Sequence, residues 1–318
     1  MRKIPLIYTL TLNPAIDKVL FLAELQPSKT NRLSRTIETI GGKGTHVSIG
    51  LKLLGVPSVA LGVTLGENGK KIQRMLANWG VESRFLHYDI EQMESRTNYE
   101  IVELNTRLCT MLTEQGPMLP AMMTDDLIAQ ITSLLVPRDV LVLTGDASNV
   151  EDKVIYSKLG EVAKKKGAQI YLDASGAYLK EALPASPFLI KPNLEELCFL
   201  AGHELHNEAE IIKAMQALDQ FGIQIIAMTW SGNGAIVKNG ADYYRINPIK
   251  VDAINEGGCG DAFLAALIAG IAQNEAFIEI LKTASAVASA TAESEITAGF
   301  DQTRVEVLRN QAVVTKIL

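Results

Sequence analysis

Two glycine-rich stretches carry most of the chemistry this sequence could perform. Gly257-Gly258-Cys259-Gly260-Asp261 runs directly into the apolar stretch Ala262–Ala272. Consecutive glycines let backbone N–H groups converge on an anion. A helix starting there would add the positive end of its dipole. Asp261 then falls in the first turn. A carboxylate there can accept a proton from an attacking hydroxyl while the backbone stabilises a transferring phosphoryl group. The same residue also fits an ordinary acidic helix start. Gly41-Gly42-Lys43-Gly44 has the same layout plus a lysine. Lys43 could hold a phosphate or sugar oxygen as a point charge, or stand exposed on a tight turn.

A third stretch, Gly232-Asn233-Gly234, is shorter. None of the three is a Walker A loop, because Gly44 stands where Ser or Thr is needed and position 37 is Ile. None is a dinucleotide fingerprint, because Phe263 and Val47 occupy the third glycine positions. His203-Glu204-Leu205-His206 lacks the His-Glu-x-x-His zinc spacing and reads as a solvated turn. His46 is either a substrate contact or a first-turn helix residue facing solvent. Cys259 has no histidine near it in sequence, so it reads as a small residue whose N–H faces the anion rather than as a nucleophile.

The elements that must position these residues alternate. Ile4–Leu12, Val59–Val63, Val140–Thr144, Gln169–Leu172, Phe188–Ile190 and Ile223–Met228 read as strands. Thr45–Leu54 and Lys70–Asn78 read as helices, each followed by a glycine stop signal. The alternation predicts an α/β fold, a mostly parallel sheet with helices on both faces. Asp17–Ile40 and Ser83–Thr113 lack a helical period. Arg96–Glu103 and Leu108–Thr113, joined by a turn at Asn105-Thr106, read as a hairpin. Both stretches are expected to form one small β-sheet, a lid inserted at about residues 13–40 and 84–114 of a single domain spanning 1–318. An edge decoration without function is the alternative.

Composition narrows the class. With 318 residues, 47% hydrophobic and 21% charged, the chain has the profile of a globular protein with a large core. Its 30 basic and 36 acidic residues give a formal charge of −6, which offers no broad footprint for nucleic acid or anionic lipid. Cys109, Cys198 and Cys259 are too few and too scattered for a disulfide framework and fit a reducing cytoplasm. The Met1-Arg2-Lys3 opening leads into an apolar stretch broken by Pro5, Tyr8, Thr9 and Thr11, so no signal peptide is expected. No apolar run reaches the length of a membrane span.

The combination of motifs resembles the PfkB carbohydrate kinases, which have the ribokinase-like fold, and within them the branch of 1-phosphofructokinases and tagatose-6-phosphate kinases. The resemblance runs through Thr9-Leu10-Thr11-Leu12-Asn13-Pro14-Ala15-Ile16-Asp17, Gly41–Gly44, Leu172–Gly176, Ile190–Glu196 and Asn255–Asp261. It implies an ATP-dependent kinase of a phosphorylated ketohexose: tagatose 6-phosphate, fructose 1-phosphate or fructose 6-phosphate. It implies Asp261 as catalytic base, with the N–H groups of Gly258, Cys259 and Gly260 as anion hole. Asp17, Gly42, Lys43, His46, Arg96 and Asn98 would bind the sugar phosphate. Lys191, Asn193, Thr229, Ser231, Gly232 and Gly234 would bind ATP, and Asn193 and Glu196 would organise Mg2+, mainly through water. A homodimer through the β lid is a further implication.

The chain departs from that branch mainly on its substrate side. His46 replaces the usual Asn, and Gly145-Asp146-Ala147-Ser148-Asn149-Val150 replaces Gly-Ser-Leu-Pro-Pro-Gly. Thr229-Trp230-Ser231 replaces Ser-Leu-Gly, and Glu256-Gly257 and Cys259 stand in the second signature where Pro-Val and Ser or Ala are common. These changes leave open a non-catalytic sugar-phosphate or nucleotide sensor, or a kinase of another small alcohol.

Overall fold

The structure, a computed structural model, describes residues 5–318. The Met1–Lys3 opening and Ile4, the first residue of the expected first strand, lie outside it. The chain begins with β1 (Ile7–Thr11), β2 (Ala15–Leu22), β3 (Arg35–Gly41), α1 (Lys43–Leu53), β4 (Ser58–Leu65) and α2 (Gly66–Asn78). Then follow β5 (Glu82–Ser83), β6 (Leu86–Tyr88), β7 (Arg96–Glu103), β8 (Cys109–Thr113), α3 (Ala121–Leu134), β9 (Val140–Gly145), α4 (Ile155–Lys166) and β10 (Gln169–Ala174). Next come α5 (Gly176–Ala182), β11 (Leu189–Ile190), α6 (Leu194–Ala201), α7 (Glu208–Ala217) and β12 (Ile225–Thr229). The chain ends with β13 (Ala235–Asn239), β14 (Asp242–Ile246), α8 (Cys259–Gln273), α9 (Phe277–Ala292), α10 (Gln302–Arg309) and β15 (Val314–Lys316).

An 11-stranded sheet runs β15-β14-β13-β12-β11-β10-β9-β1-β4-β5, with β6 also on β4. It is parallel from β12 to β5 and antiparallel through β13, β14 and β15. Its central strands β1 and β9 are buried along their whole length, as continuous apolar runs require. One face packs on a core that includes Leu127 of α3, Leu159 of α4, Leu179 of α5, Leu197 of α6 and Ile211 of α7. The other packs on Val47 and Leu51 of α1, Leu264 and Leu267 of α8, Leu281 and Val287 of α9 and Leu308 of α10. The mostly parallel sheet with helices on both faces is as the sequence predicts.

Strand order reverses beside β1, which has β4 on one side and β9 on the other. Such a reversal opens a crevice at the carboxyl ends of the strands. The N-terminus of α1 sits in it. A side chain at Gly44 would run into Thr11, the Leu10 carbonyl and Thr144.

The second sheet has 4 strands in the order β3-β2-β7-β8. The hairpin of β7 and β8 forms as the sequence indicates, with Asn98 opposite Thr113. The expected insertion at 84–114 is too long at its start. Leu86–Tyr88 pairs with Val63–Leu65 of the large sheet, because Leu86 and Tyr88 pack on the main core. Helix α2 also begins earlier than its apolar period, since Gly66–Gly69 carries no hydrophobic signal but is anchored by Glu94, which accepts from the N–H groups of Glu67 and Asn68.

Candidate functional site

Two helix N-termini meet at the crevice. Helix α8 starts at Gly258, whose φ of 75° is the left-handed conformation and whose missing Cβ makes room for the Thr297 carbonyl. No side chain caps it, so the N–H groups of Cys259 and Gly260 keep no intrahelical partner. Helix α1 starts at Gly42, likewise without a side-chain cap. The two helices approach closely enough that a side chain at Gly50 would strike the Cβ of Ala265.

One turn nearer their starts, His46 of α1 meets Asp261 of α8. His46 Nδ1 lies 2.8 Å from Asp261 Oδ2, and Nε2 lies 2.8 Å from the carbonyl oxygen of Ile40. Both side chains are buried. Burial works against a charged imidazole. The hydrogen bond to Asp261 and the charges of Asp261 and Asp17 outweigh it and raise His46 to about 9. The sequence places His46 among the substrate contacts or in solvent. The structure corrects the solvent-facing reading, because the ring is buried and each ring nitrogen has a protein partner.

Below this pair lies a charge cluster at the ends of β10 and β11. Asp173 is buried between Lys43 Nζ at 3.0 Å and Lys191 Nζ at 3.1 Å. Burial alone would raise the Asp173 carboxyl, but the two ammonium groups hold it below its ordinary value. Lys191 is also close to the glycine loop, since a Cβ at Gly260 would lie 3.4 Å from its Nζ. Asp173 lies inside a motif the sequence singles out, yet its type alone did not mark it as a site residue. Its two partners come from distant positions.

Asn193 and Glu196 form a capping box at the start of α6. Glu196 N–H donates to Asn193 Oδ1 at 2.7 Å, and Asn193 N–H donates to Glu196 Oε2 at 2.9 Å. That leaves Glu196 Oε1, whose carboxyl burial raises above its ordinary value. Among the described residues no three His, Cys, Asp or Glu side chains converge into a metal cage. This donor set fits a hydrated Mg2+ that arrives with phosphate oxygens.

Thr229 ends β12 and pairs by an isolated bridge with Asn193. Ser231, Gly232 and Asn233 form a single 3-10 turn, and Gly234 closes it. Arg245 steadies this turn, donating to the Asn233 and Ala235 carbonyls with its guanidinium 5.9 Å from the Trp230 ring. The nucleotide-side residues expected from the sequence thus lie along one row of strand ends.

The small sheet supplies the opposite wall. Asp17 and Asn98 are register partners on β2 and β7, and Asn98 Nδ2 donates to Asp17 Oδ1 at 2.8 Å. Asn98 Oδ1 is buried without a partner, an acceptor open to a sugar hydroxyl. A side chain at Gly41 would run into the Asp17 carboxylate, which explains that glycine. Arg96 Nε and one terminal amino group are held by the Asn13 and Glu114 carbonyls. Asp146 binds its own loop, accepting from Ser148 N–H at 2.9 Å.

Sequence reasoning also missed the fastening of the glycine loop to the small sheet. Asn255 Oδ1 accepts from Gly257 N–H at 2.7 Å, and Asn255 Nδ2 donates to buried Glu100 of β7 at 2.9 Å. An acidic residue at an inward strand position was the available signal. The Cys259 thiol is pushed up to about 12 by burial and by the neighbouring carboxylates of Glu256 and Asp261, so it stays protonated.

Sequence and structure comparisons agree with this fold. Residues 9–303 match the family described as pfkB family carbohydrate kinase. A tagatose-6-phosphate kinase of Staphylococcus epidermidis is 27% identical over 98% of this chain and 100% of its own length. A protein described as a possible 1-phosphofructokinase from Thermotoga maritima superposes with a TM-score of 0.87 at 25% identity, covering 98% of this chain and 100% of that one. Phosphofructokinase-2 of Escherichia coli, solved with substrates and products, superposes with a TM-score of 0.89 at 21% identity, covering 96% of this chain and 98% of that one.

Proposed function

The chain belongs to the pfkB family of carbohydrate kinases, and from that premise we propose that it transfers the γ-phosphoryl group of ATP to a hydroxyl of a phosphorylated ketohexose. The observation that carries the reading is Asp261 in the first turn of α8, beside uncapped N–H groups, the buried Lys191 and the half-buried Lys43. Asp261 takes the proton of the acceptor hydroxyl as that oxygen attacks. The N–H groups of Gly258, Cys259 and Gly260 and the charges of Lys43 and Lys191 stabilise the phosphoryl oxygens. Mg2+, held by Asn193 and Glu196 through water, would supply charge neutralisation to the phosphates. ATP lies over Thr229, Ser231, Gly232 and Gly234.

Asp17, Asn98, Gly42 and Lys43 bind the sugar, and the free amino group of Arg96 meets its phosphate. An arginine so placed suits a sugar phosphate better than an uncharged alcohol. Tagatose 6-phosphate, fructose 1-phosphate and fructose 6-phosphate are the acceptors to compare. The small sheet acts as a lid over them. Its outer strand exposes Met111 and Leu112, with Leu108 exposed just before it, a surface that suits a second copy of the chain. Among the described residues no helix is long and apolar enough to cross a membrane.

The test is ADP release with Mg–ATP and each of the three sugar phosphates, with unphosphorylated fructose alongside. Turnover on one sugar phosphate, lowered about 10²–10⁴-fold in kcat by Asp261→Asn with ATP binding kept, is the expected result. An Asp261→Asn enzyme of full activity would overturn the mechanism. ATP binding without turnover on any sugar would favour the sensor reading.

A further inference from the structure

Nothing in the proposed reaction requires a histidine beside Asp261, and the bonds around this one restrict where protons can sit. The Ile40 carbonyl only accepts, so Nε2 of His46 carries a hydrogen. At 2.8 Å, Nδ1 and Asp261 Oδ2 are then held together only if one more proton lies between them. A bare ring nitrogen would set its lone pair against a carboxylate oxygen. We propose that His46 and Asp261 form a dyad sharing one proton, and that His46 is a positioning residue that turns Asp261 so that Oδ1 alone faces the acceptor hydroxyl.

The proposal rests on the reading of Asp261 as the base. Oδ2 is tied to the ring, so the proton from the hydroxyl goes to Oδ1. The acceptor oxygen forms its bond to the γ-phosphorus. The bond from that phosphorus to the bridging oxygen breaks, and its electron pair leaves with ADP. His46 keeps its proton throughout. Before transfer, imidazolium and carboxylate together carry no net charge. After Oδ1 is protonated they carry one positive charge, next to the group whose negative charge is moving. An unpaired carboxylate would instead repel the incoming phosphates.

The charged groups facing the ring are Asp261 from α8 and Asp17 from β2. Lys43, on the same helix, is turned to Asp173, as is Lys191 from the residue after β11. Among the described residues no other cation is bonded to Asp261, although the Lys43 charge is near enough to act on it. Loss of the shared proton would leave Nδ1 and Oδ2 repelling each other and free Asp261 to rotate, so activity should fall on the alkaline side.

Two measurements on the full chain decide this. The first is imidazole NMR across pH, with the His46 signal assigned among the 4 histidines by its loss in His46→Gln. His46 should titrate well above an ordinary histidine and move down by about 1–3 pH units in Asp261→Asn. Titration in the ordinary range, unmoved by Asp261→Asn, would overturn the dyad. The second is the pH profile of kcat. The wild-type enzyme should lose kcat as His46 deprotonates, and His46→Gln, whose amide does not titrate, should lack that limb. An unchanged alkaline limb in His46→Gln overturns the positioning role. Absence of turnover on every sugar phosphate would sink the proposed function instead, with the NMR titration still deciding the dyad.

Discussion

On the wall formed by the large sheet and its helices, Asp173 of β10 and Asp261 of α8 are held by two lysines in one case and a histidine in the other. In the small sheet, Asp17 is held by a neutral amide, and Arg96 by backbone carbonyls. The first wall pairs its charges before any ligand arrives. The second keeps open valences, namely the lone acceptor of Asn98 and the spare amino group of Arg96. A site that must always receive the same phosphates can be prewired. A site that must close around a sugar needs polar atoms left for it. One sequence departure from the resembling branch, the 145–150 loop, borders the second wall, where the Asp146 charge acts on Arg96.

The sharpest way to break this contrast is at Asp173. Asp173→Ala leaves Lys43 and Lys191 facing each other without their anion. It should cost about 3–5 kcal/mol of stability, measured by denaturant unfolding. A neutral result would mean the lysines do not depend on it. Asp173 also gives a pH signature. Its carboxyl is depressed in the folded state, so its contribution is present above the unfolded carboxylate range and is lost as pH falls through the folded value.

On the other wall, Arg96→Ala should leave folding intact and raise KM for the sugar phosphate about 10- to 100-fold, the worth of one charged hydrogen bond at about 1.5–3 kcal/mol. KM for ATP should stay put. Equal effects on both substrates would erase the division between walls.

His46 sharpens the comparison through pH. Its folded value is raised to about 9 from 6.5, so its stabilisation is complete below the unfolded value and is lost as pH rises through the folded one. The wild-type Tm should decline over that interval relative to His46→Gln. Parallel curves would show that the ring carries no extra proton in the folded state. The smallest effect on the site is expected from Leu112→Lys on the exposed outer strand. As this strand is proposed to meet a second copy, the change should lower the mass read by light scattering and leave unfolding unchanged.

Much of the framework was legible in the sequence because buried parallel strands are continuous apolar runs, as in Val140–Gly145. The start of α2 was not, since Gly66–Gly69 depends on Glu94 rather than on an apolar period. Leu86–Tyr88 was assigned to the wrong sheet, because a 3-residue strand carries no sign of which neighbour it will meet. The glycine loops and Asp261 were visible as local motifs. The partners of Asp173 and His46 were not. Lys43 and Asp173 are 130 positions apart, and His46 and Asp261 are 215 apart. Only the folded sheet brings such pairs together.

That last separation also bears on how the protein is made. At about 5–20 residues per second, a ribosome that has completed His46 needs roughly 10–40 s more to reach Asp261. Throughout that time the ring can reach the Ile40 carbonyl but lacks the Asp261 carboxylate that holds its other nitrogen, so its second proton is less firmly kept. Docking of α8 therefore draws a proton from solvent as it completes the site. A nascent chain stalled before Asp261 would carry the sugar-binding wall and both lysines' anchor, yet have nothing with which to accept the hydroxyl proton.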